Sequence, residues 1–179
     1  VRADGDALRA QRLLDEARTG LETLTKVAPT DRKITGILAA AWRLEAEVRD
    51  TAGRPDAAAA VAQALALGEE LVTKERANDG FVGDYASACV VAGVIARRNG
   101  DDTVALRHWQ RAVEVVRSRS PDSSDWRLLD PAARALAFLG RRDESRAIVE
   151  RLQHFGFQPM EPWPDLDGTA NSASNINPK

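Results

Sequence analysis

The sequence predicts an all-α fold, a right-handed solenoid of antiparallel helix hairpins with about seven helices. The first observation is a series of glycines at 5, 53, 100 and 140, roughly 40–48 residues apart, as in helical repeat proteins. The second is that Ala105, Trp109 and Ala112 follow Gly100 at a spacing that places them on one helix face. The third is a composition of 44% hydrophobic but only 5% aromatic residues, which favours closely packed helices over a sandwich or barrel.

The spacing of small and large residues after Gly100 recurs after the other three glycines. A small residue in the first position lets a neighbouring helix approach closely, and a larger one in the second fills the space beyond it. The matching sets are Ala10, Leu14 and Ala17 after Gly5, Ala58, Ala62 and Leu65 after Gly53, and Ser145, Val149 and Leu152 after Gly140.

The first predicted helix lies within residues 1–28, begins near Asp6 and ends before Pro29. In the repeat pattern it is the second helix of a hairpin whose first helix is absent. We therefore expect either a cap or a chain cut from a longer array.

The next hairpin is predicted over residues 31–52 and 55–76, joined by the turn Gly53-Arg54-Pro55. Asp31 is the expected N-cap. Helical periodicity predicts that the buried stripe of the first helix consists of Ile34, Ile37, Leu38, Ala41, Leu44 and Val48.

The third hairpin is predicted over residues 81–98 and 101–118, after a break at Asn78-Asp79-Gly80. A glycine inside a helix costs roughly 1 kcal/mol relative to alanine. We therefore expect Gly93 to lie at a close contact between helices. Other small residues of the same helix belong to that contact: Ala88, Ala92 and Ala96.

The last hairpin is predicted over residues 125–139 and 142–155, after a loop at 120–124. The pair Asp130-Pro131 either begins the first of these helices or kinks a helix that has already begun. Residues 1–155 are therefore the predicted repeat domain. Residues 156–179 are a separate segment, an extended proline- and aromatic-rich strap (157–164) folded back on the last hairpin, with disorder expected from Asp165.

The pattern resembles the tetratricopeptide repeat, a helix hairpin with small residues and an aromatic residue at fixed places. Those places correspond here to Gly93, Gly100, Ala105, Trp109 and Ala112, and the resemblance extends over roughly residues 5–155. The repeats are longer than the usual ~34 residues. They are similar to the long repeats of kinesin light chains and of C-terminal regions in bacterial protein kinases and transcriptional regulators. Glu45 departs from the pattern, because the family prefers leucine there.

The resemblance implies a concave groove formed by the first helices of the hairpins. Its mixture of apolar and basic residues suits a peptide with apolar and acidic character, with arginines binding carboxylates. A solvated face without a ligand is the alternative. The family's groove positions fall on Arg43, Glu47, Asp50, Val90, Val94, Arg97, Arg98, Arg134 and Phe138.

Residues with catalytic potential are few, so we expect no enzyme, cofactor or metal site. The two histidines, His108 and His154, have no neighbouring acid or thiol in the sequence, and Cys89 lies among apolar residues. Asp165-x-Asp167-Gly168 resembles only the start of a calcium loop and is interpreted as tail. Trp109 and Trp126 are expected to pack between helices.

The predicted function is therefore a protein-interaction module that binds a protein or peptide partner, within a larger signalling or regulatory protein. The alternative is a self-association or autoregulatory module, a homo-oligomer or a chain whose strap occupies a groove. A net charge of −2 argues against a nucleic-acid partner. No apolar run of the ~18–20 residues that cross a bilayer is apparent, and one cysteine forms no internal disulfide, so we expect a cytoplasmic protein.

Overall fold

The computed structural model describes residues 2–117, 119 and 123–164, and the side chains of residues 9, 11–117, 119 and 123–164. This part of the chain contains seven α-helices and no strand, which confirms the predicted all-α class. The helices are α1 (Arg2–Val27), α2 (Arg32–Thr51), α3 (Ala57–Lys74), α4 (Asp79–Arg98), α5 (Asp102–Arg117), α6 (Trp126–Phe138) and α7 (Arg142–His154).

Three of the predicted glycines end helices in the left-handed conformation, which glycine adopts without steric cost. The φ angles are +66° at Gly53, +84° at Gly100 and +76° at Gly140. At Gly53 two backbone bonds close the helix end, from Gly53 N to Asp50 O at 3.0 Å and from Arg54 N to Arg49 O at 2.9 Å. These glycines therefore form the tight turns that connect α2 to α3, α4 to α5, and α6 to α7.

Side-chain caps fix the starts of the first helix in each of these pairs. Asp31 accepts from Lys33 N at 2.9 Å, as predicted, and Asp125 accepts from Arg127 N at 2.9 Å. Asn78 accepts from Phe81 N at 3.2 Å, so the predicted break at 78–80 is instead the cap and first residues of α4. Because Asp125 caps α6, Pro131 lies inside a helix that has already begun.

The helices contact their neighbours in chain order, each one packing against the next. In addition α2 contacts α4, and α4 contacts α6. Helix α4 therefore lies at the centre of the described fold, in contact with α2, α3, α5 and α6.

Trp109 of α5 is the centre of the main hydrophobic core, and it is fully buried. Its indole Nε1 donates to the Val90 carbonyl at 3.2 Å, and its ring stacks on Phe138 of α6 with centroids 4.8 Å apart. A Cβ added at Gly93 would collide with the indole of Trp109. The prediction that Gly93 lies at a close contact between helices is therefore confirmed.

The contact between α4 and α6 depends on a second glycine, which the repeat pattern does not contain. A Cβ at Gly83 would lie 2.5 Å from the carbonyl oxygen of Arg127 in α6. That oxygen is four residues before Pro131, which has no N–H to donate to it. The backbone of α4 thus approaches α6 where the internal hydrogen-bond ladder of α6 lacks a donor.

Two of the residue sets predicted from the glycine spacing, those after Gly53 and Gly5, are wrong. In α3 Ala58 and Ala62 are exposed, whereas Ala57, Val61 and Ala64 are buried, which is the same spacing displaced by one residue. The turn at Gly53 contains Pro55, and α3 begins only at Ala57, so the register counted from the glycine does not transfer. Gly5 lies inside α1, which begins at Arg2 rather than near Asp6, and so it ends no helix.

Ser145, the first of the residues predicted to share a helix face after Gly140, is accommodated by a hydrogen bond to the preceding helix. Ser145 of α7 is fully buried, and its hydroxyl donates to the Ala133 carbonyl of α6 at 2.7 Å. A buried hydroxyl is tolerated because this bond replaces its hydration. The predicted loop at 120–124 is described only from Ser123, and the tail from Asp165, with its calcium-like sequence, lies outside the described residues.

Candidate functional site

The candidate site is the surface of α2, α4 and α6, the first helices of the three hairpins, which contact one another in that order. It contains all nine predicted groove residues, but their surroundings differ. Arg97 and Arg98 are exposed, and Val90 is buried. The other six are half-buried: Arg43, Glu47, Asp50, Val94, Arg134 and Phe138.

Three of the predicted groove residues instead support Trp109. Val90 is 7% exposed and accepts the indole N–H through its carbonyl, and Phe138 stacks on the ring. The Arg97 guanidinium lies 4.1 Å from the centroid of the same ring, where a cation over an aromatic face is attracted by its electrons. The expectation that Val90 offers a ligand surface is therefore wrong, because its side chain belongs to the core.

Four of the predicted groove charges on α2 and α4 are paired with one another. Arg43 lies 2.5 Å from Glu47 within α2, and Arg98 of α4 forms an ion pair with Asp50 of α2. Desolvation raises the pKa of the Asp84 carboxyl on α4, although the residue is exposed, and the charges of Arg43 and Arg127 oppose that shift. An acidic ligand would have to compete with these internal carboxylates, so the surface is less suited to acidic peptides than the sequence indicated.

Two apolar side chains of α2 lie open on this surface, although periodicity predicts them to be buried. Ile37 is 48% exposed and Leu44 is 40% exposed, while Leu38 and Ala41 of the predicted stripe are buried. Ile37 and Leu44 are seven residues apart and so lie on the same side of the helix. Together they expose a short apolar strip along one side of the helix.

The strap, residues 157–164, covers the α6 part of the same surface without forming a helix or strand. Arg134 donates to the carbonyls of Glu161 at 2.7 Å and Pro162 at 3.2 Å. The indole of Trp163 donates to Asp130 Oδ1 at 2.9 Å. Arg134 is therefore already bound to a peptide backbone, one that belongs to its own chain.

Aromatic rings complete the contact between the strap and α6. Phe157 stacks on Trp126 with centroids 5.4 Å apart, and its centroid lies 6.3 Å from that of Trp163. Trp126 was expected to pack between helices, but it is 47% exposed and packs on the strap. Proline spacing and apolar weight in 157–164 were the sequence signals for this contact, whereas nothing in the sequence indicated Asp130 as its partner.

A buried carboxylate, Glu45 of α2, lies at the contact with α1. It is 1% exposed, and Arg18 Nε of α1 lies 2.8 Å from its Oε2, while Arg49 pairs with its other oxygen. Burial raises the pKa of Glu45, and the charges of Arg18 and Arg49 oppose the shift. The buried carboxylate thus belongs to an ion-pair cluster that joins two helices.

The residues with catalytic potential are dispersed. Cys89 is fully buried, and burial raises its pKa to about 12, so the thiol is a poor nucleophile at neutral pH. Partial burial and the charge of Arg107 lower the pKa of His108, while His154 is exposed beside Phe155. Within the residues that the structure describes, no three histidine, cysteine or acidic side chains converge as a metal site would require.

One described helix, α4, meets the length and hydropathy of a membrane span, which the sequence inspection above did not find. Its apolar window has a mean hydropathy of 1.3, and 56% of that window is buried inside the fold. The central packing of α4 accounts for this composition, because a core helix meets the same criterion.

Comparisons with known proteins identify no relative of this chain. No protein family, curated protein or solved structure matches the chain.

Proposed function

We propose that this chain is a protein-interaction module, a right-handed tetratricopeptide-like solenoid in which α2, α4 and α6 form the inner row. The order of helix contacts supports this arrangement. The backbones of α2, α4 and α6 approach one another in sequence, whereas those of α3 and α5 do not within the described chain. Helices α3 and α5 meet through long side chains, as in the Arg111–Glu69 ion pair at 3.7 Å. Inner helices that are closer together than outer ones give a curved stack with a concave side.

The exposure of Ile37 and Leu44 on the inner row is the observation that carries the functional proposal. Val94 of α4, another predicted groove residue, is half-buried, and two pairs of opposite charges lie on the same helices, Arg43 with Glu47 and Arg98 with Asp50. Such a surface favours the apolar side of a peptide or amphipathic helix. The proposed ligand is therefore apolar rather than acidic.

The test is a selection of peptides from a displayed library against the whole chain, followed by binding measurements on variants. Ile37→Glu and Leu44→Glu place a charge where the apolar ligand would lie. Each is expected to weaken the selected peptides at least tenfold, with the far-ultraviolet circular dichroism unchanged.

Leu106→Glu is the matched control, since Leu106 is 41% exposed but lies on α5, outside the inner row. It is expected to leave binding unchanged. Failure to select any binder, or equal losses in all three variants, would contradict the proposal that this surface is the binding site.

The second candidate is an autoregulatory or self-association module. The observation in its favour is that the strap already covers Asp130 and Arg134 on the inner row. The two candidates share one surface and differ in whether its α6 part is open to a partner.

A further inference from the structure

The contacts of the strap on α6 are of the kind that recognise a peptide. The Arg134 guanidinium donates to two backbone carbonyls of the strap, and any extended segment can offer such carbonyls. The indole N–H bonded to Asp130 is specific, because only tryptophan presents a donor on so large an apolar ring. Phe157 adds a second ring against Trp126.

Asp130 and Arg134 are held in place without the strap. Asp130 Oδ2 lies 2.9 Å from Arg134 Nε, an ion pair one turn apart on α6. The strap uses the remaining atoms of the pair, Asp130 Oδ1 and the two terminal nitrogens of Arg134. The ion pair fixes both side chains and leaves their remaining polar atoms available to a ligand. Such a preorganised site loses little conformational entropy when a ligand binds.

The strap itself lies on the surface and is attached by few groups. No side chain in 157–164 is fully buried; Phe157 and Trp163 are half-buried, and Met160 is fully exposed. Segments with few buried apolar contacts open at low free-energy cost. The strap is therefore suited to leave while the helices remain folded.

We infer that Trp126, Asp130 and Arg134 form a binding site for an extended segment containing proline and tryptophan, which residues 157–164 occupy and regulate. The inference rests on the proposal that the inner row binds peptides. Its ligand is the chemistry of the strap itself: a tryptophan for Asp130, adjoining backbone carbonyls for Arg134, and an aromatic ring for Trp126. When the strap leaves, the same segment from a second copy of the chain enters the site.

The test uses the full chain carrying Phe157→Ser and Trp163→Ser, which removes the two anchors of the strap. The probe is a fluorescent peptide with the sequence of residues 156–164, followed by anisotropy. The released variant is expected to bind the probe at least tenfold more tightly than the parent. A probe with phenylalanine in place of Trp163 lacks the indole donor and is expected to bind several-fold more weakly.

Arg134→Lys in the released chain is expected to lose most of the binding, because one ammonium does not reproduce the forked contact to two carbonyls. Arg107→Lys on α5, where the arginine is exposed, is the matched control and is expected to have no effect. If the double variant does not fold, Trp163→Phe in the full chain is used in its place, since this change removes a single hydrogen bond.

Equal binding by parent and released chain, or no binding by a folded released chain, would overturn the inference. In the latter case the strap is a structural cap, and its variants lower the melting temperature without gaining a ligand. Neither result bears on Ile37 and Leu44. The broader interaction proposal is therefore tested separately, by the peptide selection and the variants of those two residues.

Discussion

Gly93 and Gly20 both lie inside helices, yet their surroundings are opposite. A Cβ at Gly93 would overlap the indole of Trp109, whereas a Cβ at Gly20 would meet no atom within 4 Å. The first glycine is required by packing, since the interior of a protein has no spare volume for a methyl group at that contact. The second contributes only conformational freedom to the unfolded chain.

The same substitution at these two residues is therefore expected to change stability in opposite directions. Gly93→Ala should lower the free energy of unfolding by about 1–3 kcal/mol through overpacking. Gly20→Ala should raise it by roughly 0.5–1 kcal/mol through helix propensity. Urea denaturation of the two variants measures both, and a Gly93→Ala chain as stable as the parent would show that Trp109 does not press on α4.

At the scale of whole helices, the attachment of α1 to the rest of the fold depends on polar groups. The Arg18 guanidinium contacts Glu45 of α2 and lies 4.6 Å from the centroid of the Trp42 ring. Leu13, Leu24 and Val27 of α1 are at least half-exposed, so apolar burial contributes less here than between the other helices. Removal of one member leaves a buried charge with fewer partners, which costs more than the intact cluster contributes.

Arg18→Met is expected to destabilise the chain by on the order of 2–4 kcal/mol, because Glu45 then has Arg49 as its one close cation among the described residues, while Asp15 remains beside it. Adding Glu45→Leu, which replaces the buried carboxylate with an apolar side chain, is expected to recover most of that loss. Chemical denaturation of the single and double variants measures the coupling. Additive losses would show that the two side chains do not act together.

Several helix ends were predictable from sequence because their causes are local. Gly100 and Gly140 supply the left-handed conformation, and Asp31 bonds to amides only two and three residues away. Periodicity identified the apolar residues of α2 but did not distinguish Leu38, which is buried, from Ile37, which is not. Their environments are set by which helices arrive on either side, and that information is not contained in the segment.

The candidate site shows the same limit more strongly. The arginines of α4 and α6 are visible in the sequence, but their partners are distant: Asp50 for Arg98, and the strap carbonyls for Arg134. The sequence therefore predicted where a surface would lie and missed that its charges are satisfied. It also missed Glu45 as a buried ion, since the partner Arg18 belongs to the preceding helix.

At the scale of the whole molecule, stability should decrease from the centre towards the ends of the helix series. Helix α4 packs against four others, whereas within the described chain the backbone of α1 closely approaches no helix but α2, and that of α7 no helix but α6. Local opening is easiest where a helix has few neighbours.

Native-state hydrogen exchange is expected to show this order. Amides in α4 and α5 should exchange only on global unfolding, and amides in α1 should exchange through a smaller opening with weaker dependence on denaturant. Uniform protection across α1 and α4 would show instead that the chain unfolds as a single cooperative unit.

The contact of Gly83 with the Arg127 carbonyl, opposite the missing donor of Pro131, has a consequence for how the protein tolerates mutation. An alanine at Pro131 would supply the absent amide and draw that oxygen into α6, so the advantage of a bare backbone at position 83 would diminish. Positions 83 and 131 are thus epistatic: in homologues that diverge, the glycine and the proline should be retained or lost together.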